Sequence, residues 1–258
     1  MHTRTMREHD GPAGKRAIDE EACMLDAGNA LERHMRDIWT ARGAVLVTAA
    51  LNALLINKLT VFPWWLASAV EVALLAPLSV ATAWTHDRMR RATDEHHWLR
   101  IERARRLVRH AAMFLTAIVT LINFHSLLVV LRALLEGAKQ ATGQSLLVDA
   151  LNIWFTNVVV FALWFWNLDS GGPAVPGSAK EPAADFLFPQ MSADCPGHHG
   201  WRPGFFDYLF VSFTNATAFS PTDTMPLTVR VKLLFMVQSI ASLLTVGMVA
   251  ARAVNILS

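Results

Sequence analysis

A chain of 258 residues that is 53% hydrophobic and only 17% charged is too apolar for an ordinary soluble domain, so lipid is the solvent expected around much of it. The net charge of +2 conceals an asymmetry, with seven Lys and Arg in the first 42 residues and eight Arg between His86 and Arg109. That distribution belongs to membrane orientation and speaks against a nucleic-acid partner. Two cysteines far apart, Cys23 and Cys195, exclude a disulfide framework or a thiolate metal cage.

Residues 1–42 form a polar tail in which the spacing of Ile18, Ala22, Leu25, Leu31, Met35 and Ile38 predicts a short surface helix. The tail holds no apolar run, so no cleaved signal peptide is expected and the first hydrophobic helix directs insertion. Region 43–145 reads as three spans. Gly43 to Leu59 is a short first span, Trp64 to Trp84 a second after the break at Pro63, and Ala111 to Leu131 a third. Trp64, Trp65 and Trp84 bracket the second as interfacial aromatics do. Between the second and third lies a connector, 86–109, whose eight Arg and four acids require a solvated helix.

Region 146–258 opens with a fourth span, 146–168. Residues 169–203 carry Gly171, Gly172 and six prolines from Pro173 to Pro203 and read as an irregular extramembrane loop. The helix predicted over 204–218 has about four turns, too few to cross a bilayer. A turn at 218–225 and a long helix over 226–257 complete the chain. The fold class is all-α: a polytopic membrane protein with four N-terminal transmembrane helices, a re-entrant helix and loop, and a long C-terminal transmembrane helix. Backbone that is irregular at membrane depth must be covered by protein or face water, and a short helix with a polar turn before a long helix meets that condition. A short interfacial helix leading into an ordinary span fits the same pattern.

The segment Ser212-Phe213-Thr214-Asn215-Ala216-Thr217-Ala218-Phe219-Ser220-Pro221-Thr222-Asp223-Thr224-Met225-Pro226 resembles the pore signature of bacterial potassium-channel-like proteins, S-F-x-T-x-T-T-V-G-Y-G-D-x-x-P, in register and without a gap. Ser212, Phe213, Thr217, Asp223 and Pro226 carry the match. The resemblance extends over about 50 residues, from Phe206 to Asn255. It implies a homotetramer in the cell membrane, monovalent cations as the permeating species, and Gln238, Ser242 and Thr245 on the inner helix beside a cavity. Separately, no Gly-rich phosphate loop, nucleophile elbow or intramembrane catalytic dyad stands out, so no cofactor and no catalytic residue is expected.

The departure from that signature lies in the filter. Where the family has T-V-G-Y-G, this chain has Ala218, Phe219, Ser220, Pro221 and Thr222. Glycines allow a filter backbone to aim consecutive carbonyls at a dehydrated ion, and Pro221 instead holds its φ near −65°. Selectivity would then come from side chains: the hydroxyls of Thr217, Ser220 and Thr222, the Asn215 amide and the Asp223 carboxylate. In a fourfold assembly Asp223 forms a ring of carboxylates. Asp223 also suits an N-cap of the last helix, and Asp207 a cap of the short one. The hydroxyls equally suit bonds to their own backbone.

Glu71, near the middle of the second span, is a candidate ion or proton site, or a protonated or paired structural acid. Asn123, His125, Asn152 and Asn157 read as interhelical hydrogen-bond partners. His96-His97 and Cys195-His198-His199 lack metal-ligand spacing, so no metal or enzymatic site is expected. The expected functions are a weakly selective cation channel without a potassium filter, a non-conducting scaffold or regulatory subunit with the same fold, or a small-solute transporter using Glu71 and His125. Orientation divides the evidence of charge from that of resemblance. The positive-inside rule with four crossings leaves the Pro-rich loop and short helix on the side of the basic connector, whereas the channel resemblance has them on the other.

Overall fold

The computed structural model describes residues 36–52, 95–135, 143–169, 184–191, 201–218 and 224–257, with the isolated positions 69, 72, 73 and 220. Most of the second apolar segment, including Glu71, the break around Gly137, the two cysteines and the bulk of the Pro-rich loop lie outside the described residues. The described chain is mostly helical, and three helices are long and apolar enough to cross a membrane.

Helix α1 covers 36–52 and buries Ile38, Ala41, Val45, Thr48 and Ala49, positions three and four apart on one face. Helix α2, Glu95–Leu135, is one element of 41 residues, about 60 Å long. From Glu95 onward the basic connector and the third span therefore form a single rod, because nothing between Glu95 and Leu135 breaks the helix: the stretch contains neither Gly nor Pro. The membrane-length part is Arg109–Leu135. It buries Ala112, Thr116, Val119, Asn123, Leu127 and Val130, and exposes Phe114, Leu121, Leu128 and Leu135 on other faces. Apolar side chains all round are what a lipid-facing helix needs.

Helix α3, Gly143–Leu168, is the axis of the bundle and is buried along most of Leu146–Leu168. It runs antiparallel to α2: the Trp164 indole donates to Thr120 Oγ1 at 3.0 Å, Asn123 donates to the Ile153 carbonyl at 3.3 Å, and Leu146 joins Leu127 and Val130 in one apolar cluster. Helix α4, Phe205–Ala218, and helix α5, Val229–Leu257, pack on the same axis. Helix α5 is also antiparallel to α3, with Phe235 stacked on Phe165 at 4.7 Å and Met248 clustered with Leu146.

The Pro-rich region is not wholly irregular. Phe186–Leu187 forms a two-residue strand β1 that pairs antiparallel with β2, Met225–Pro226. The pairing seats Phe186, fully buried, among the rings of Phe165, Phe188, Tyr208 and Phe235. A loop that carries a Phe into the core exchanges backbone freedom for aromatic burial. Because Met225 and Pro226 belong to this ladder, α5 starts at Val229 rather than at Pro226. Thr228 is its N-cap residue: its carbonyl accepts the Lys232 N–H at 3.1 Å. The cap position expected for Asp223 is thus taken by Thr228; Asp223 itself lies outside the described residues.

Candidate functional site: the short helix and its surroundings

Helix α4 begins beside the first turn of α1. The Gly204 N–H donates to Asp207 Oδ2 at 2.7 Å, the reach-back half of a capping box, and the Asp37 carboxylate of α1 accepts the Phe205 N–H. Two carboxylates thus serve one helix N-terminus. Burial is the main force on both acids, and it pushes Asp37 up to about 6, with Asp207 raising it further and Arg36 opposing. Asp207 is raised by burial as well, against the lowering effect of its backbone hydrogen bonds. The expected capping role of Asp207 matches this geometry.

One turn on, the Tyr208 hydroxyl donates to Asp169 Oδ2, and Asp169 Oδ1 accepts the Asp185 N–H at 2.7 Å. Asp185, fully buried, accepts from Thr228 Oγ1 at 2.6 Å and from both the Nε and the Nη2 of Arg230. The chain Tyr208, Asp169, Asp185, Arg230 therefore joins α4, the end of α3, β1 and the start of α5. Burial, then the Asp169 charge, holds the Tyr208 phenol well above its ordinary range. Nothing local in the sequence marks Asp169, Asp185 or Arg230 as a group, since their separations of 16 and 45 residues are closed only by the fold.

The second half of α4 meets α3 and α5 through polar groups. Ser212 Oγ donates to the Val158 carbonyl at 2.6 Å. Gln238 Nε2 donates to the Ser212 carbonyl and hydroxyl at 2.9 and 2.7 Å, while its Oε1 accepts from Asn215 Nδ2 at 2.8 Å. Asn157 Nδ2 donates to Ser242 Oγ at 3.0 Å, and Ser239 Oγ to Asn215 Oδ1 at 3.2 Å. Asn123 and Asn152 also bond between helices, Asn152 to Asn52. The residues expected to line an inner-helix cavity are packed inside the chain instead: Gln238, Ser242 and Thr245 are all buried, and Thr245 bonds its own helix at Ala241. The cause is a wedge of polar contacts, because α4 offers Ser212 and Asn215 on the face that α5 covers.

Of the filter-like residues, Thr217, Ala218 and Ser220 are exposed. Thr217 Oγ1 donates to the Phe213 carbonyl at 2.9 Å, one turn back. Phe219, Pro221, Thr222 and Asp223, like Glu71, lie outside the described residues. Among the described residues no group of three His, Cys, Asp or Glu side chains is placed to hold a metal. No family model, no curated protein and no solved structure matches this chain.

Proposed function

We propose that the chain is a channel-like integral membrane protein in which α4 and the turn after it form a re-entrant element, completed by further copies of the chain around a cation pathway. The observation that carries this reading is the route of the backbone around α4. The segment leaves the bundle end at Gly204, beside Asp37, and has returned to that end by Met225, which pairs with Leu187. Between these points α4 runs 14 residues, about 21 Å, against a hydrocarbon core of about 30 Å. Its far end, with Thr217, Ala218 and Ser220, is exposed on the single chain. Lipid cannot hydrogen-bond unpaired backbone groups at that depth, so other protein or water covers this end.

The same contacts favour one side of the orientation question. Arg109, Gly204 and Val229 belong to one end of the bundle, because Trp164 meets Thr120, Phe205 meets both Trp166 and Asp37, and Phe235 stacks on Phe165. With the basic tail and connector in the cytoplasm, α4 enters from the cytoplasmic side, opposite to the potassium-channel arrangement. Side-chain hydroxyls of Thr217, Ser220 and Thr222 and the carboxylate of Asp223 would then select the ion.

The test is conductance of the purified oligomer in planar bilayers under cation gradients. Current that falls with Asp223→Asn supports the pathway; an intact oligomer that passes none in any gradient overturns it. The second reading, a non-conducting scaffold that keeps the module, is favoured by the packing of Gln238, Ser242 and Thr245 within the protomer, which removes them from any cavity wall. Silence in the same bilayers, with the oligomer retained, is its expected result.

A further inference from the structure

Among the described residues, the charged side chains at the Gly204 end of the bundle are sorted by sign. The acids are withdrawn: Asp169 and Asp185 are buried, and Asp37 and Asp207 are partly buried at the first turn of α4. The bases face outward. Arg36, Arg202, Arg230 and Lys232 are exposed, and Arg42 and Arg109 are partly so. Arg230 keeps 57% of its side chain exposed while bonding Asp185, so the ion pair does not remove it from the surface. At the same end α2 continues as helix from Arg109 back to Glu95, a stretch whose sequence holds Arg100, Arg103, Arg105 and Arg106 against the two acids Glu95 and Glu102. The opposite end differs: among the described residues Arg132 is exposed there and Asp149 is buried.

We propose that this end is a basic collar that binds the phosphate headgroups of anionic phospholipids. Arg109 opens the membrane-length stretch Arg109–Leu135, and Arg230 and Lys232 open Val229–Ala251, so these cations stand where a headgroup meets a crossing helix. Guanidinium forks match phosphate oxygens in geometry as well as charge. Asp169 and Asp185, being buried, are kept from competing at the surface with the lipid for these cations. A lipid is favoured over a soluble phosphate because the cations sit at the starts of apolar helices, beside the faces that acyl chains cover.

The full-length protein, purified in a neutral detergent, is given phosphatidylglycerol or phosphatidylcholine with the same acyl chains, and bound lipid and the thermal unfolding midpoint are measured. Phosphatidylglycerol is expected to be retained at least about 25-fold more strongly and to raise the midpoint, with the preference collapsing at high salt. Arg36→Gln with Lys232→Gln is expected to weaken that binding by about 25-fold, at roughly fivefold per cation, judged against the variant's own midpoint in lipid-free detergent. Equal retention of the two lipids overturns the proposal, as does a preference indifferent to both salt and the double variant. Glycerol phosphate that stabilises as well as the lipid, or a short RNA that binds where phosphatidylglycerol does not, also overturns it.

Discussion

The Asp37 Oδ1 atom lies 2.5 Å from the place a Cβ on Gly204 would take, so α1 and α4 meet at a point where glycine leaves room for a carboxylate. That contact ties the beginning of the apolar bundle to the helix that precedes the filter-like turn. It also decides the local chemistry, because the same carboxylate accepts the Phe205 N–H.

Gly204→Ala should push the Asp37 carboxylate off the α4 N-terminus. A lost helix-end acceptor is worth about 1 kcal/mol, and the unfolding free energy in detergent should fall by about that much. With Asp37→Ala already present, the added methyl meets no carboxylate, so the double variant should cost less than the sum of the singles.

The pH dependence of stability follows from the raised acid at Asp37. Its folded form holds the proton up to about pH 6, whereas the unfolded form releases it near 3.8. The folded state therefore binds more protons in that window, and stability declines as pH rises from about 4 to 6, then stays level. Solvent screening of a half-buried group trims the effect to about 1 kcal/mol. Asp37→Asn should flatten this part of the stability curve; an unchanged slope in the variant would assign the titration elsewhere.

Tyr208 is the only tyrosine in the chain, so its ionisation has an unmixed optical signal. Burial and the neighbouring Asp169 carboxylate oppose the phenolate. Spectrophotometric titration should show no phenolate near pH 10 in the folded protein and a normal transition after denaturation. Tyr208→Phe should destabilise by about 1–3 kcal/mol, because the buried Asp169 loses a donor.

Gln238 holds α4 to α5 through Ser212 and Asn215 with every polar atom of its amide engaged. Gln238→Leu leaves the Asn215 amide and the Ser212 carbonyl without that partner in an apolar setting. A loss of about 2 kcal/mol is expected, read by thermal or denaturant unfolding in detergent. A double-mutant cycle with Asn215→Ala should return a coupling of at least about 0.5 kcal/mol.

Much of the helical framework was legible from the residues alone. Leu146 to Leu168 and the four turns at Phe205 announce themselves because apolar runs have a length, and length decides whether a helix can cross. The join of connector to third span was less visible, since a shift from Arg-rich to apolar composition signals a change of solvent without a break in the helix. The paired Phe186 and Pro226 were hidden among prolines, where no period betrays a two-residue strand. For the candidate site, the polar groups on α5 were visible but their direction was not: a helix read alone does not say which of its faces a neighbour will cover.

The sequence by itself determined that this is an apolar, helix-built chain with a strongly basic flank and a short helix before a long one, because composition, charge and run length are local properties. Only the tertiary structure decided that Asp37 meets Gly204, that Asp169 and Asp185 share one network, and that Gln238 and Ser242 turn inward. Those are contacts between residues distant in the chain, chosen by which polar groups can satisfy one another once lipid or protein has replaced water.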